Sequence, residues 1–147
     1  MFYNKNKMEE LYPKLYLYKR IVQAKLFIDT HYSEKLDLDI IANKACFSKF
    51  YFIKLFKSIY KVTPYQYLIK VRIDKAKLFL QNKTLVSDVC FSIGFDSISS
   101  FTGLFKKYNN LTPYQYLQLF ERRQQEIKHI PLKFIPNCFV EKERDKK

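Results

Sequence analysis

The chain has 147 residues, enough for one domain or for two small subdomains sharing a frame. Lys and Arg total 27 against 14 acidic residues, a formal charge of +13, which fits an anionic partner, nucleic acid or an anionic membrane surface, or else a Lys-rich composition that serves solubility. The 48% apolar and 18% aromatic content can build a core, while 2 Gly and 5 Pro exclude a turn-rich β architecture and a Gly-rich phosphate loop, so the chain reads as all-α.

In chain order, residues 1–18 mix aromatic and charged side chains around Pro13 and read as an N-terminal extension. No apolar signal segment follows the first basic residues, and no run of about 18 apolar residues exists, so a cytoplasmic location without a membrane partner is expected. A first helix is predicted over Ile21–His31 and a short one over Leu38–Ala45, capped by Asp37. A third starts at Ser48, with Phe52, Leu55 and Phe56 on one face by i, i+3, i+4 spacing. Thr63-Pro64-x-Gln66 is a capping box with proline at the first helical position. It opens a connector helix that should stop near Asn82, about 18 residues and ~27 Å long at 1.5 Å per residue.

The second half repeats the punctuation. A short helix is predicted over Leu85–Ser92, capped by Thr84, then a turn at Gly94 that needs positive φ, then a helix from Ser97 with Phe101, Leu104 and Phe105 on one face. Asn110 suits a left-handed helix end, and Thr112-Pro113-x-Gln115 opens another helix expected to run through residue 128. Beyond it, HIPLKFIPNCF is apolar and broken by proline, an arm expected to pack back extended, and residues 141–147 are a charged tail.

The two halves are copies of one unit. Residues 48–68 align with 97–117 at an offset of 49, with 11 identities in 21 positions, among them Thr-Pro-Tyr-Gln-Tyr-Leu in both. Upstream, Leu38-x-x-Ile41-Ala42 aligns with Val86-x-x-Val89-Cys90 at an offset of 48. Each unit is short helix, tight turn, second helix: a helix-turn-helix. The expected architecture is two such subdomains, about 37–61 and 84–109, joined by the connector at 63–81. Successive major-groove segments on one face of a duplex lie ~34 Å apart, the same order as the connector's length.

Charge agrees with a nucleic-acid partner. Ser48–Lys61 holds Lys49, Lys54, Lys57 and Lys61 with no acid, and Asp96–Asn110 has Lys106 and Lys107 against Asp96. Lys57 and Lys106 lie near helix ends, suited to phosphates, and Lys49, Lys61 and Lys107 are assigned with them. Phe52, Phe56, Phe101 and Phe105 are read as core. Arg72 and Asp88 are read as structural, as a pair tying the connector to the second unit. Cys46, Cys90 and Cys138 are odd in number and widely spaced and read as small buried thiols; with His31 and His129 they suggest no disulfide framework, metal or cofactor. No acid–base pair or nucleophile–His set points to an enzyme.

Residues 86–116, with Val86-x-Asp88-Val89-Cys90, Gly94-Phe95, Phe101, Phe105-Lys106 and Thr112-Pro113-x-x-Tyr116, resemble the signature of the AraC/XylS family of bacterial transcription regulators. Leu38, Ile41-Ala42, Ser48, Phe56-Lys57 and Thr63-Pro64 follow the same pattern, and Tyr67, Arg72, Ala76 and Leu80 match its connector helix. The resemblance covers about residues 19–120 and leaves 121–147 as a C-terminal extension. It implies a domain of about seven helices that binds double-stranded DNA, in the manner of the short, stand-alone members that act as monomers, with RNA polymerase a candidate further partner.

It further implies which side chains face bases: Phe50, Ile53 and Lys54 on the first reading helix, and Ile98, Ser99, Ser100 and Thr102 on the second, with Gly103 where the family commonly has a long basic residue. Lys54 can donate to guanine O6 and N7, whereas Phe50 and Ile53 offer only apolar contact, for example to thymine methyls. Gly103 cannot reach a base edge, so the second motif is expected to discriminate bases poorly or lean on phosphates. The leading expectation is a sequence-specific DNA-binding transcription regulator. The alternatives are non-specific architectural DNA binding and, from the stripe SKFYFIKLFKSIYK, a helix lying on a membrane surface or a partner.

Overall fold

The computed structural model describes residues 5–135, and among them every regular element is helical. The order is α1 (Lys5–His31), α2 (Leu38–Lys44), α3 (Lys49–Tyr60), α4 (Pro64–Gln81), α5 (Val86–Ser92), α6 (Ile98–Asn109) and α7 (Pro113–His129), followed by a 3-10 turn over Pro131–Phe134. No helix among them is long and apolar enough to cross a membrane.

The chain builds two small cores around one shared rod. α1 gives Ile21, Ala24 and Ile28 to the first, where they meet Ile41 and Ala42 of α2, Phe52 and Phe56 of α3, and Leu68 of α4. One residue further along α4, Ile69 begins the second core, continued by Ile73, Ala76 and Leu80 against Val89 and Cys90 of α5 and Phe101 and Phe105 of α6. Tyr32 packs on both. The four phenylalanines expected inside are fully buried, each stabilising by about 1.5–3 kcal/mol. Phe52 meets Phe56 edge-on at 5.6 Å, and Phe101 meets Phe105 edge-on at 5.7 Å, so the duplicated packing is kept in both units.

Helix ends follow the capping chemistry closely. Asp37 accepts a hydrogen bond from the Ile40 N–H at 2.8 Å. Thr63 and Thr112 each form a reciprocal box: the threonine oxygen accepts from the glutamine N–H at 3.2 Å, and the Gln66 or Gln115 Oε1 accepts from the threonine N–H at 2.9 Å. α4 is 18 residues long, as expected. α3 and α6 both end on a left-handed residue, Lys61 (φ 64°) and Asn110 (φ 58°).

Several expectations are corrected. The first helix begins at Lys5 rather than Ile21 and runs through Pro13. Ile21, Ala24 and Ile28 anchor its last turns, and once that part is helical each added residue costs little. Thr84 does not cap α5; Leu85 occupies that place. Thr84 instead finishes α4, its N–H donating to the Phe79 carbonyl at 3.3 Å while Lys83, at φ 61°, donates to Leu80 at 3.0 Å. Residues 131–134 make a 3-10 turn against the end of α7, not an extended arm, with Phe134 exposed. The rest of that arm, the charged tail and Cys138 lie outside the described residues.

Cys90 is a buried core thiol, but Cys46 is exposed, and its backbone is left-handed at φ 53°. It occupies the turn between α2 and α3 that Gly94, at φ 86°, occupies between α5 and α6. The bonding is the same in both: Phe47 N–H to the Ala42 carbonyl at 3.0 Å, and Phe95 N–H to the Cys90 carbonyl at 3.1 Å.

Candidate nucleic-acid interface

Because Phe52 and Phe56 point into the first core, the opposite line of α3 must face away from it. That line is Phe50, Lys54, Lys57 and Lys61, at i, i+4, i+7 and i+11, and all four are exposed. Phe50 is 85% exposed, far more than an apolar residue of this size needs for the fold. Ile53 is half-buried at the edge of the line. In α6, with Phe101 and Phe105 inside, the same geometry turns Ser99, Gly103, Lys106 and Asn110 outward, all exposed, with Lys107 beside them. Ile98 is 45% exposed and Thr102 half-buried.

The remaining side chains expected at the interface have local duties. Lys49 Nζ lies 2.7 Å from Asp39 Oδ2 across the α2–α3 turn, and that hydrogen bond raises its pKa. Lys61 Nζ donates to the Ser58 carbonyl at 2.8 Å. Ser100 is tied to the start of α6: its N–H donates to Ser97 Oγ at 3.1 Å, and the Ser97 hydroxyl donates to Ser100 Oγ at 3.1 Å. α3 and α6 both begin on serine, but only Ser97 caps with its side chain.

The mutual placement of the two units is fixed by a junction the sequence only half disclosed. Arg72 does not pair with Asp88. Its Nε donates to the Tyr32 carbonyl at 2.7 Å and an Nη to the Glu34 carbonyl at 2.9 Å, on the loop that leads into α2. The guanidinium also lies 5.5 Å from the Phe95 ring centre. Burial lowers its pKa, and the two carbonyls and the ring take the place of water around the charge. Gly94 presses on the same spot: a Cβ there would lie 2.7 Å from the Ser33 carbonyl oxygen and 2.8 Å from an Arg72 Nη. The turn of the second unit, the connector and the entry to the first unit thus meet at one point.

A second tie holds α4 to α1. Tyr67 OH donates to Asp29 Oδ1 at 2.6 Å, and Lys25 Nζ donates to Asp29 Oδ2 at 2.8 Å. The hydrogen bond to Asp29 raises the Lys25 pKa, while burial first and Asp29 second raise that of Tyr67. At the equivalent place in α7, Tyr116 OH accepts from Gln81 Nε2 at 2.9 Å. The repeated tyrosine was visible in the sequence; its two different partners were not.

The signal for the left-handed Cys46 lies in the repeat: Ile41-Ala42-x-x-x-Cys46-Phe47 aligns with Val89-Cys90-x-x-x-Gly94-Phe95, which puts Cys46 at the place of the glycine. As for the helical stripe that suggested a membrane surface, Phe52 and Phe56 are spent on the core and its exposed line is mostly lysine, which weighs against that reading.

Residues 41–119, more than half of the chain, match the helix-turn-helix domain family. Among curated relatives, the chain is 37% identical over 81 residues to the Transposon Tn10 TetD protein of Escherichia coli, covering 54% of this chain and 59% of that protein. It is 34% identical over 87 residues to the HTH-type transcriptional regulator YdeC of Bacillus subtilis (strain 168), covering 58% and 30%. The chain thus spans less than two thirds of either relative's length. Among solved structures, it superposes on the C-terminal domain of the two-component response regulator yesN from Fusobacterium nucleatum with a TM-score of 0.62 at 28% identity, covering 65% of this chain and 94% of that one. The DNA-binding domain of AdpA, a global transcriptional factor solved in complex with a target DNA, gives a TM-score of 0.69 at 24% identity over 72% and 96%, a likeness of fold.

Proposed function

The chain belongs to the AraC-type helix-turn-helix family, and from that premise we propose that it is a sequence-specific DNA-binding transcription regulator that lays α3 and α6 into successive major-groove segments. The observation that carries this reading is the pair of equivalent outward lines, Phe50-Lys54-Lys57-Lys61 and Ser99-Gly103-Lys106-Asn110, on duplicated units sharing an 18-residue helix of ~27 Å. Lys54 donates to a guanine edge, and Phe50 and Ile53 cover thymine methyls. Ile98, Ser99, Ser100 and Thr102 form the second reading surface. Lys57, Lys61, Lys106 and Lys107 hold phosphates, and Lys49 joins them by exchanging its Asp39 contact for one.

One chain supplies both reading helices, so a monomer suffices on DNA. The reading carries a cytoplasmic location with it and leaves RNA polymerase as the further partner of a regulator.

Selection of sites from random duplexes, followed by footprinting, tests this. Two enriched blocks centred about one helical turn apart, ~10–10.5 base pairs, are expected. No enriched motif at moderate salt overturns the reading. Non-specific architectural binding, favoured by the short side chains of α6, would give equal affinity for selected and random duplexes.

A further inference from the structure

The outward lines of the two reading helices differ in one consistent way. At the offset of 49, Phe50 corresponds to Ser99, Ile53 to Thr102 and Lys54 to Gly103. In each pair the first helix carries the long side chain and the second the short one.

Gly103 is the extreme, and nothing inside the molecule asks for it. It lies in mid-helix, exposed, and a Cβ placed on it would meet no atom within 4 Å. Its φ is not positive, unlike that of Gly94, so no turn requires glycine there. A glycine in a helix interior weakens the helix relative to alanine, because its unfolded backbone has more freedom to lose. The residue therefore costs stability without serving packing or conformation. What it supplies is room on the outside.

We propose that α6 sits closer to the floor of the major groove than α3 does, and that Gly103, which has no side chain to reach a base, determines specificity by letting the helix approach until Ser99 and Thr102 meet the base edges. This rests on the DNA-reading assignment above. The groove is about 12 Å wide and 8.5 Å deep, while a helix with ordinary side chains is about 10–12 Å across, so trimming the facing side chains is what permits deeper entry. The hydroxyls of Ser99 and Thr102 are too short to reach base edges from the distance a lysine can bridge, and they come into range only if the axis moves in. Lys106, one turn beyond Gly103 on the same line, then meets a phosphate at the groove's rim. α3 reads at arm's length through Lys54, and α6 reads by close approach.

The test is Gly103→Ala, with Gly103→Leu as a graded second variant, measured by thermal melting and by affinity for the selected and for random duplexes. The alanine variant is expected to melt higher than the parent, yet to bind the selected duplex about tenfold more weakly, with base preference lost mainly in the α6 block and the leucine variant weaker still. Three results would overturn the inference: an alanine variant that binds as tightly as the parent, one that loses equally on random duplexes, or one that melts lower and so shows the glycine serving the fold. If the parent chain enriches no site at all, the DNA-reading assignment falls and takes this inference with it; if the parent enriches a site and the variant matches it, only the close-approach inference falls.

Discussion

Lys54 and Lys57 lie less than one turn apart on the same exposed line, yet they are expected to behave differently. In the proposed docking, Lys54, in the middle of α3, would reach the groove floor, whereas Lys57, in its last turn, would meet the sugar-phosphate wall. Replacing Lys54 with alanine should weaken the preferred site by ~1–3 kcal/mol and relax one base position, seen by repeating the selection with the variant. Equal losses on preferred and scrambled duplexes would make it a phosphate contact instead. Lys57→Ala should lower affinity uniformly and reduce the slope of log K against log salt by about one, read from a salt titration. At this scale the sequence displayed outward residues well, because facing away from a core is a matter of period. Partners are harder: the sequence marks Arg72 as structural and suggests Asp88 beside it, but its acceptors are the backbone carbonyls of Tyr32 and Glu34, and carbonyls leave no residue-type signal.

At the scale of elements, the helix starts at Asp37, Thr63 and Thr112 were legible because capping is a local exchange between a side-chain oxygen and an N–H two or three residues on. Where an end depends on what precedes it, the reading failed: Thr84 looks like a cap but closes the previous helix. The two turns make a natural experiment. Gly94 holds φ 86° without steric cost, whereas Cys46 holds φ 53° with a Cβ in a region L-residues avoid by about 1 kcal/mol or more. Cys46 is also exposed, so its side chain returns little by burial. Cys46→Gly should therefore stabilise the protein by up to ~1 kcal/mol, less what glycine's looser unfolded chain takes back, as a higher denaturant midpoint at unchanged m. A lower midpoint would mean that the thiol packs usefully after all.

At the scale of the whole molecule, the angle between the units depends on the contact of Gly94 with Ser33 and Arg72. A methyl group at Gly94 would meet a backbone oxygen at 2.7 Å, which cannot rotate away, and would also strain a positive φ. Gly94→Ala should cost roughly 2–4 kcal/mol. It should also hurt binding to a duplex carrying both blocks more than to a duplex carrying one, measured side by side; proportionate losses on both would show that the junction serves stability alone. The two-unit plan was plain in the sequence, because a duplication announces itself. The junction was not, because it joins residues near 33, 72 and 94 that no local pattern links. One consequence follows from α4 lending Leu68 to one core and its very next residue, Ile69, to the other. There is no fault line between the halves: the border falls between two consecutive residues inside one helix, so unwinding the rod at that point opens both interiors. Heat or denaturant should find a single melting step, and a protease should encounter an intact reader or a fully opened chain, with no surviving half to occupy a half-operator.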